Sequence, residues 1–505
     1  MILSSLIFVI YLIIILWLIN ENGFFGLFTD GHISKRNYMY IFLAKSLAVP
    51  VFFVVYKKLY GGIEDLDAGK FYHDVQVIHR AALKDFGFYL RLLFGLQNDF
   101  PGTYDFEFCL KNTLNWDNGT VKDYLYNDNR VLIRVHSVFE FIAFKSYFVH
   151  GLFSCFLSFV GLQLIFRSFK LYFQGKELTL LLILCFVPAL WFYTGALLKE
   201  GLTVFILGNL IYLTRELILK KSILDVFKIL PFVFMACLLK PYLLLFAFFC
   251  FTLFYAIQYL SGFVNKTPLY FLTVFVYLLS TNFASEHFKQ RSLMEAALKH
   301  QRVFAGVAKG GIFLANGDTF VRLKNDSSQI VKLSGKKNLY TIRKNVNYMY
   351  WEHNANLDTL YCAANKDTLS VYELKYIIQE SKSNIQISSY QGGAINMLVH
   401  SFYYSLFFPM FTNAKGLMQL LASCENLAVL LAFFMLLYYF IRSKKEHFFP
   451  LVLLFICLCI CFLVGLATPN SGAIYRYRSP VISFVFIAVL YYLPMFNLKK
   501  TKPSN

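Results

Sequence analysis

Residue types suited to acid–base chemistry and to anion binding recur at the ends of the apolar stretches of this sequence. An acidic run places Asp65 and Asp67 just after the second apolar stretch. Cations follow at the ends of later stretches, at Lys199, Lys240, Arg476 and Arg478. A carboxylate can act as a general base toward a hydroxyl group, while Arg and Lys bind phosphate groups. This combination predicts transfer to a hydroxyl acceptor from a donor that carries a phosphate.

Polar neighbours of these residues complete the candidate site. They are Tyr72, His73, Glu200, Tyr242 and the Glu425-Asn426 pair. Simpler interpretations stand beside the functional one: the acidic run can be a solvated loop, and Lys199 and Glu200 can neutralise each other. Neighbouring acids can also share a divalent cation. The sequence therefore leaves a metal cofactor open and assigns no metal ligands.

The composition indicates which elements must position these residues. Of the 505 residues, 58% are hydrophobic and 15% are charged, whereas a soluble domain is about 45–50% apolar. The net charge of +19 does not indicate a nucleic-acid partner, because Lys and Arg fall in short clusters beside apolar runs, as in cytoplasmic loops of membrane proteins. We therefore expect membrane lipids as partners and no nucleic acid.

Apolar runs of roughly 20 residues predict the membrane spans. Clear candidates are 2–20, 38–56, 147–166, 178–194, 198–214, 268–285, 418–441, 449–466 and 480–496. The run 228–260 contains Lys240-Pro241 at its middle, and proline disfavours helix in the residue before it. Two short helices in this run bring the predicted total to about eleven spans.

The positions of Lys and Arg predict the orientation of these spans. Four basic segments lie on one side if 228–260 is two helices: 167–176, 215–228, 442–445 and 499–502. By the positive-inside rule that side is the cytoplasm. The N-terminus is then outside and the C-terminus inside the cytoplasmic (inner) membrane. Every candidate site residue falls on the exported face, with Tyr475–Arg478 in a short outer loop.

The spans divide the chain into five parts. These are 1–56 (the first two spans), 57–146 (an exported loop with the acidic motif and an interfacial helix near 131–144), 147–285 (a central bundle), 286–417 (an exported cap) and 418–505 (the last three spans). In the cap we expect helices near 286–307 and 396–406 and a strand-like piece around Asn316-Gly317. Cys109 and Cys362 can pair only if both polar segments are exported. The predicted fold is an all-α polytopic membrane protein with two long exported loops, one of them with some strand character.

Short blocks in order along the chain resemble a known group of proteins. They are D-A-x-x-F-Y-H from Asp67 to His73, W-F-Y-T-G-A-L-L-K-E at 191–200, K-P-Y at 240–242, F-F-P-M-F and C-E-N-L at 407–411 and 424–427, and Y-R-Y-R at 475–478. This order resembles bacterial multi-pass proteins related to GT-C glycosyltransferases and to surface-polysaccharide polymerases. Two departures are Leu66, where glycine is common, and Lys240, where arginine is common.

The resemblance implies roles for individual residues. Asp67 would be the catalytic base, with Asp65 as second choice. The cations that would hold the polyprenyl phosphate are Lys199, Lys240, Arg476 and Arg478. The expected function is inverting transfer of a sugar from a polyprenyl-phosphate-linked donor to a glycan acceptor at the exported face, in surface glycan biosynthesis.

Two other functions stay open from the sequence. A surface-polysaccharide polymerase of the O-antigen type would join lipid-linked repeat units on the same face. It would use basic residues for pyrophosphate and would need no catalytic acid. A transporter or lipid flippase fits less well, because such proteins usually carry internal repeats and charges near the midplane, and the sequence shows neither.

Overall fold

The computed structural model describes the chain in stretches separated by gaps. The described residues are 2–21, 26–29, 31, 33–64, 66–98, 103–116, 128–221, 223–260, 265–287, 297–298, 301, 304, 310–316, 319–323, 329–333, 339–343, 347–352, 361–364, 371–378 and 393–494. The chain divides into two compact units, which are described separately below. The larger comprises Met1–Ala284, Pro409–Ile460 and Arg476–Asn505, and the smaller Ser285–Phe408 and Cys461–Tyr475.

Helices dominate the described part of the chain. Before the sheet they are α1 (Ile2–Glu21), α2 (Lys35–Ser46), α3 (Ala48–Tyr60), α4 (Asp67–Lys84), α5 (Phe86–Phe94), α6 (Tyr104–Asn112), α7 (Arg130–Ala143), α8 (Tyr147–Phe169), α9 (Glu177–Phe186), α10 (Pro188–Tyr193), α11 (Lys199–Lys220), α12 (Ile223–Leu239), α13 (Pro241–Leu260) and α14 (Lys266–His287). After the sheet they are α15 (Gly393–Phe402), α16 (Leu417–Arg442), α17 (Phe448–Ala467) and α18 (Ser471–Tyr492). Short 3-10 turns lie at Lys170–Tyr172 and Phe411–Asn413, and a π turn lies at Tyr403–Phe407.

Within the described residues, eight helical segments are long and apolar enough to cross a membrane. They are Leu3–Glu21, Lys35–Leu59, Tyr147–Tyr172, Lys199–Lys220, Pro241–Tyr259, Leu417–Arg442, Phe448–Ala467 and Ser471–Tyr492. Glu177–Phe186 and Lys266–Ser280 are shorter apolar helices. The chain is thus a mostly helical, multi-pass membrane protein, as predicted. The total of about eleven spans stays a prediction.

Prolines set the breaks between neighbouring helices. Because proline has no N–H to donate, Pro50 cannot bond the carbonyl of Ser46, where α2 ends. The break between α12 and α13 falls at Lys240, which confirms the predicted division of 228–260. The prediction of one continuous span at 178–194 is wrong, because α10 begins with Pro188 after a break at Val187.

The central helices α8 and α11 pack through small residues. A Cβ atom at Gly208 would lie 2.1 Å from the carbonyl oxygen of Gly161, and one at Gly161 would lie 2.3 Å from that of Val204. Such close approach favours helix association in lipid, where apolar burial gives little driving force. Nearer the start of α11, a Cβ at Gly201 would lie 2.9 Å from the carbonyl oxygen of Ser154, so close packing against α8 also holds Lys199 and Glu200 in place.

The polar segment at 57–146 is mostly helical where the structure describes it. It contains α4 to α7, and α7 confirms the helix predicted near 131–144. Helix α7 packs against α4. The hydroxyl of Tyr72 on α4 donates to the carbonyl of Lys145, just after α7, at 2.6 Å. These contacts place α4, whose first residue is Asp67, against the start of α8.

The smaller unit contains a seven-stranded antiparallel sheet. Its strands are β1 (Gly311–Asn316), β2 (Thr319–Leu323), β3 (Ile330–Lys332), β4 (Leu339–Ile342), β5 (Asn347–Glu352), β6 (Tyr361–Ala364) and β7 (Val371–Ile378), in the order β3-β4-β7-β1-β2-β5-β6. Ile312, Leu314, Val321 and Leu323 form most of its core with Ile342 and Tyr372. The sequence predicted one strand-like piece here, so the prediction underestimated the sheet.

The other predictions for this unit have mixed outcomes. In the β1–β2 pair Asn316 lies opposite Thr319, as a hairpin at the predicted turn requires, although Gly317 itself is outside the described residues. The helix predicted near 396–406 is present as α15 and the π turn. The one predicted near 286–307 lies mostly outside the described residues, as does the side chain of Cys362.

The segment Tyr475–Arg478 lies within a helix, and its prediction as a loop is wrong. Helix α18 starts at Ser471, nine residues before Pro480. Asn470 caps it, since its Oδ1 accepts from the N–H groups of Gly472 and Ala473 at 2.9 and 3.3 Å and satisfies donors that a helix start otherwise leaves unpaired. Both arginines therefore project from a helix rather than from a loop.

Lysines of two predicted cytoplasmic segments lie at the far end of α18, with Lys266 near one of them. Lys176 Nζ donates to the carbonyl of Leu490 at 3.0 Å, and Lys445 Nζ to that of Tyr491 at 3.0 Å. Lys266 lies 3.8 Å from Glu446, next to Lys445. Cations at a helix C-terminus interact favourably with its dipole. The basic end of α18 is therefore opposite the end that carries Arg476 and Arg478.

Candidate functional site

The loop before α4 fixes the position of Asp67. Gly61 ends α3 with a left-handed φ of 80°, a conformation that glycine adopts without strain. The loop then folds onto the first turn of α4, where a Cβ at Gly69 would lie 2.1 Å from the carbonyl oxygen of Ile63. Asp67 is the first residue of α4, where the helix dipole favours a negative charge. Asp65, the second candidate base, is outside the described residues.

Arg476 is the partner of Asp67. Its Nη1 donates to Asp67 Oδ2 at 3.0 Å, and the Asp67 side chain is 49% exposed. Burial acts to raise the pKa of Asp67, but the charge and hydrogen bond of Arg476, aided by Lys70 and Lys199, outweigh it and hold this pKa below its usual value. Asp67 is therefore an ionised carboxylate with one face open to solvent.

Glu200 lies behind Asp67 and is completely buried. Its Oε1 accepts from Lys240 Nζ at 2.9 Å and lies 3.4 Å from Arg476 Nε. Its Oε2 accepts no hydrogen bond from another described residue. Because a buried carboxylate is costly unless paired, Glu200 is stabilised by both cations. Glu200 thus orders Lys240 and Arg476 beside Asp67.

An aromatic ring supports the same two cations. Lys240 Nζ and the Arg476 guanidinium lie 4.6 and 4.9 Å from the centroid of the Tyr477 ring. Each contact of this kind contributes about 0.5–2 kcal/mol. Tyr242, at the start of α13, lies within electrostatic range of Tyr477 and Glu200. The K-P-Y and Y-R-Y-R segments therefore meet in space.

Lys199 completes what we call the Glu200 cluster, which consists of Asp67, Lys199, Glu200, Lys240 and Arg476. Lys199 is buried and interacts electrostatically with the other cations and with Glu200. With its lysines protonated, the cluster has three cations and two carboxylates, so it carries one net positive charge. A phosphate monoester or diester brought to this site would find uncompensated cations in a largely buried setting, where charge–charge interactions are strong.

Sequence reasoning missed several members of this neighbourhood. Asp128 is buried and lies within electrostatic range of Lys199, and it pairs with Arg130 Nε at 3.3 Å. Its backbone N–H donates to the carbonyl of Leu238 at 3.0 Å. Lys70 was also missed. The only available signal for Lys70 was its spacing of three residues from Asp67, which places both on one helix face.

Arg478 belongs to a different site, the Glu425 cluster of Glu425, Asn426 and Arg478. Arg478 is completely buried, and its Nη2 donates to Glu425 Oε1 at 3.2 Å and also to Asn426 Oδ1. Glu425 Oε2 accepts from the backbone N–H of Ala189 at 2.7 Å. That N–H is unpaired within α10 because α10 begins at Pro188. The Glu425 cluster thus stabilises the break between α9 and α10.

Tyr72 and His73 do not join the Glu200 cluster. Tyr72 bonds the Lys145 carbonyl, as described above, and its ring packs against Tyr147 and His150. His73 is exposed, and its Nδ1 lies 3.1 Å from Asp74 Oδ1. Both predicted supporting residues are therefore placed on other faces of α4.

A buried polar chain joins α7 to α8 beneath Tyr72. Glu140 Oε2 lies 2.7 Å from His150 Nε2, the two Nδ1 atoms of His150 and His136 are 3.1 Å apart, and His136 Nε2 lies 3.3 Å from Ser154 Oγ. Burial, and then the neighbouring His150, hold the pKa of His136 well below its usual value. Buried polar groups must be paired, so this chain fixes the packing of the two helices.

No protein-family model, curated protein or solved structure matches this chain. Within the described residues, no group of three His, Cys, Asp or Glu side chains is arranged to hold a metal ion. The chemical content of the site is then a half-exposed carboxylate, Asp67, within a mostly buried cluster that is net positive with both lysines protonated. Such a site can accept a proton from a hydroxyl and can stabilise the negative charge of a departing phosphate.

Proposed function

We propose that this membrane protein is a glycosyltransferase that takes a sugar from a polyprenyl-phosphate-linked donor. The observation that carries the proposal is the direct contact of the half-exposed Asp67 with Arg476, one of the three cations of the Glu200 cluster. The proposal is supported by the ordered blocks that resemble GT-C enzymes, four of which contribute to this cluster. Its substrates are a lipid-linked sugar, which reaches the site from the bilayer, and the hydroxyl of a glycan acceptor.

In the transfer step, the acceptor hydroxyl oxygen attacks the anomeric carbon of the donor sugar. Asp67 takes the hydroxyl proton, the new C–O bond forms with inversion, and the bond from the anomeric carbon to the phosphate oxygen breaks. The electron pair leaves with the polyprenyl phosphate. Arg476, Lys240 and Lys199 receive the charge that develops on this leaving group, the type of electrostatic stabilisation that contributes most to many enzymes.

Arg476 couples donor binding to activation of the base. In the resting structure it holds Asp67 and depresses the pKa of that carboxyl, which makes Asp67 a weak base. A donor phosphate that takes the Arg476 guanidinium for itself would release Asp67 and raise its pKa. The base then becomes effective only when the donor is present, which limits loss of activated sugar to water.

The exported face is the proposed side of the reaction. Lys176, Lys266 and Lys445 lie at the opposite end of the larger unit from the Glu200 cluster. Cytoplasmic loops are rich in Lys and Arg, so this distribution supports a cytoplasmic basic end and an exported site. Surface glycan biosynthesis in the cytoplasmic membrane is the process that this placement fits.

A second candidate is a repeat-unit polymerase. The observation that favours it is the Asp67–Arg476 contact itself, since a carboxylate held by a guanidinium is a poor proton acceptor. In a polymerase the same cations would bind the pyrophosphate of a lipid-linked repeat unit. Asp67 would then orient Arg476 and would take no proton.

The test is Asp67→Asn in the native host, expressed at the wild-type protein level. We expect loss of the surface glycan and accumulation of the lipid-linked sugar, because loss of a general base slows transfer by about 10²- to 10⁴-fold. The readouts are glycan composition and the pool of lipid-linked precursors.

Glu64→Gln is the matched control, because Glu64 is an exposed acid in the same run, and this variant should keep the glycan. A normal glycan in Asp67→Asn would contradict the proposal. If Arg476→Ala then abolished the glycan, the polymerase would be the better assignment.

A further inference from the structure

A second cationic feature lies farther along α4, outside the Glu200 cluster. It is a groove of about 420 Å³ between α4 and the end of α6. The α4 wall consists of His73, Val77, Arg80, Ala81 and Lys84, and the facing wall of Phe108, Asn112, Thr113 and Leu114. The α4 residues recur at intervals of three and four, which places them on one face of the helix.

Asp74 builds the facing wall. This buried carboxylate accepts from the backbone N–H groups of Leu114 and Asn115 at 2.7 and 2.6 Å. Those bonds hold the chain that follows α6 against α4 and so fix the width of the groove. The groove is therefore a formed feature rather than a gap between loosely packed helices.

The cations of the groove have no counter-ion in the described part of the chain. Arg80 and Lys84 are exposed, and no described carboxylate lies within ion-pair distance of either. The nearest acids along α4 are engaged elsewhere: Asp74 as above, and Asp85 as the cap of α5, where its Oδ1 accepts from Phe88 N–H at 2.9 Å. The positive charge of the groove is available to an external anion.

We propose that this groove binds the acceptor glycan through carboxylate or phosphate groups on its sugars. This inference rests on the proposed function, because Asp67 begins the helix that carries the groove. With a rise of 1.5 Å per helical residue, the groove extends from roughly 9 to 26 Å beyond Asp67 along α4. The groove lies on a different face of α4 from Asp67, so a glycan whose terminal hydroxyl lies at Asp67 would pass around the helix and place sugars farther from that hydroxyl against Arg80 and Lys84.

The other groove residues suit a sugar chain. Asn112 and Thr113 offer hydrogen-bonding side chains, and Phe108 offers an aromatic wall for the apolar face of a sugar ring. Arg binds carboxylates and phosphates as a planar fork, and Lys binds them as a point charge. The groove therefore predicts an acidic acceptor, and a neutral glycan would leave both cations unpaired.

The test is direct binding of acidic oligosaccharides to the full chain in nanodiscs of phosphatidylcholine. The probes are oligogalacturonate, which carries carboxylates, and phosphorylated oligomannose, with neutral maltohexaose for comparison. We expect at least one acidic probe to bind, with affinity that falls as salt rises, and maltohexaose not to bind. Arg80→Gln combined with Lys84→Gln should weaken binding about tenfold, or roughly 1.4 kcal/mol.

Lys57→Gln combined with Lys58→Gln is the control, because it removes the same charge from exposed positions on α3, outside the groove, and should leave binding unchanged. Equal binding by the two double variants, or no binding of either acidic probe, would overturn the inference. The inference would also fail if the double variant of Arg80 and Lys84 lost association with phosphatidylglycerol vesicles but kept oligosaccharide binding. That result would assign the groove to lipid headgroups. Asp67→Asn should lose transfer while the groove still binds the acidic probes in preference to maltohexaose, so failure of the groove is distinguishable from failure of the transfer mechanism.

Discussion

Arg476 and Arg478 are two residues apart on α18 but lie in sites of opposite character. Arg478 is completely buried, and a described carboxylate, Glu425, and the amide of Asn426 surround its guanidinium. Arg476 is 19% exposed and shares a cluster in which cations outnumber carboxylates. On a helix, positions i and i+2 point in nearly opposite directions, so one helix supplies both sites.

The difference shows how to separate a structural charge from a functional one in a membrane protein. The Glu425 cluster is neutral and its carboxylate is fully used, with one oxygen on Arg478 and the other on Ala189 N–H. The Glu200 cluster keeps excess positive charge, an unused Glu200 oxygen and an exposed face on Asp67. Excess charge and an unused carboxylate oxygen are costly in a buried setting, so we expect a ligand to complete the Glu200 cluster.

The largest effect expected from this comparison is on stability. Arg478→Met leaves Glu425 buried without its cation, and breaking such a pair typically costs about 3–5 kcal/mol. We expect a clear fall in the thermal unfolding temperature in detergent and less protein in the membrane.

Adding Glu425→Gln to Arg478→Met should recover most of the loss, because glutamine is neutral and its carbonyl oxygen can still accept from Ala189 N–H. Arg476→Gln is the matched variant in the other cluster and should cost only about 1–2 kcal/mol, since Glu200 keeps Lys240. Equal unfolding temperatures for Arg478→Met and wild type would remove the structural role of Arg478.

A smaller effect is expected on the pH dependence of transfer. Arg476 is the main group that lowers the pKa of Asp67 against the opposing effect of burial. Asp67 acts as a base only above its pKa. The fall of kcat/KM at low pH, the acidic limb of the pH profile, reports the pKa of this group in the free enzyme. In wild type this limb therefore lies at low pH. In Arg476→Gln the pKa rises and this limb should move to higher pH.

The rate of transfer measured across the acidic range, from purified protein with its lipid-linked donor, checks this shift. Lys444→Gln removes the same charge from an exposed position next to Lys445, at the opposite end of α18 from Arg476, and should leave the limb in place. An acidic limb in Arg476→Gln identical to that of wild type would mean that Asp67 does not titrate in the rate-limiting step.

Local sequence signals were sufficient to predict much of the fold. Apolar length predicted the membrane helices, and Pro241 predicted the break that brings Lys240 into the cluster. Charge and order along the chain selected Asp67, Lys199, Lys240 and Arg476, which the structure brings together. These features depend on single residues or short runs of residues, so a single sequence is sufficient to predict them.

Other features depend on contacts between distant segments. Asp128 lies in a polar run like many others, and contacts with distant segments, such as its N–H bond to the Leu238 carbonyl, connect it with the region of Lys199. Strand β7 pairs with β1 across some sixty residues. The local sequence does not show this pairing, so the polar run between the two strands resembles a loop. The sequence also grouped Arg478 with Arg476, because a loop was predicted where Asn470 starts a helix.

The proposal that a lipid phosphate takes Arg476 from Asp67 is tested by the affinity of undecaprenyl phosphate for three forms of the protein in nanodiscs. Wild type, Asp67→Asn and Arg476→Gln would be compared by native mass spectrometry, with protein folding checked by unfolding temperature. We expect Arg476→Gln to bind the lipid phosphate at least about tenfold more weakly than wild type. We expect Asp67→Asn to bind it as tightly as wild type or more tightly, because the phosphate no longer competes with a carboxylate for Arg476. Equal affinity in Arg476→Gln and wild type, or weaker binding in Asp67→Asn, would contradict the claim that the phosphate takes Arg476 from Asp67.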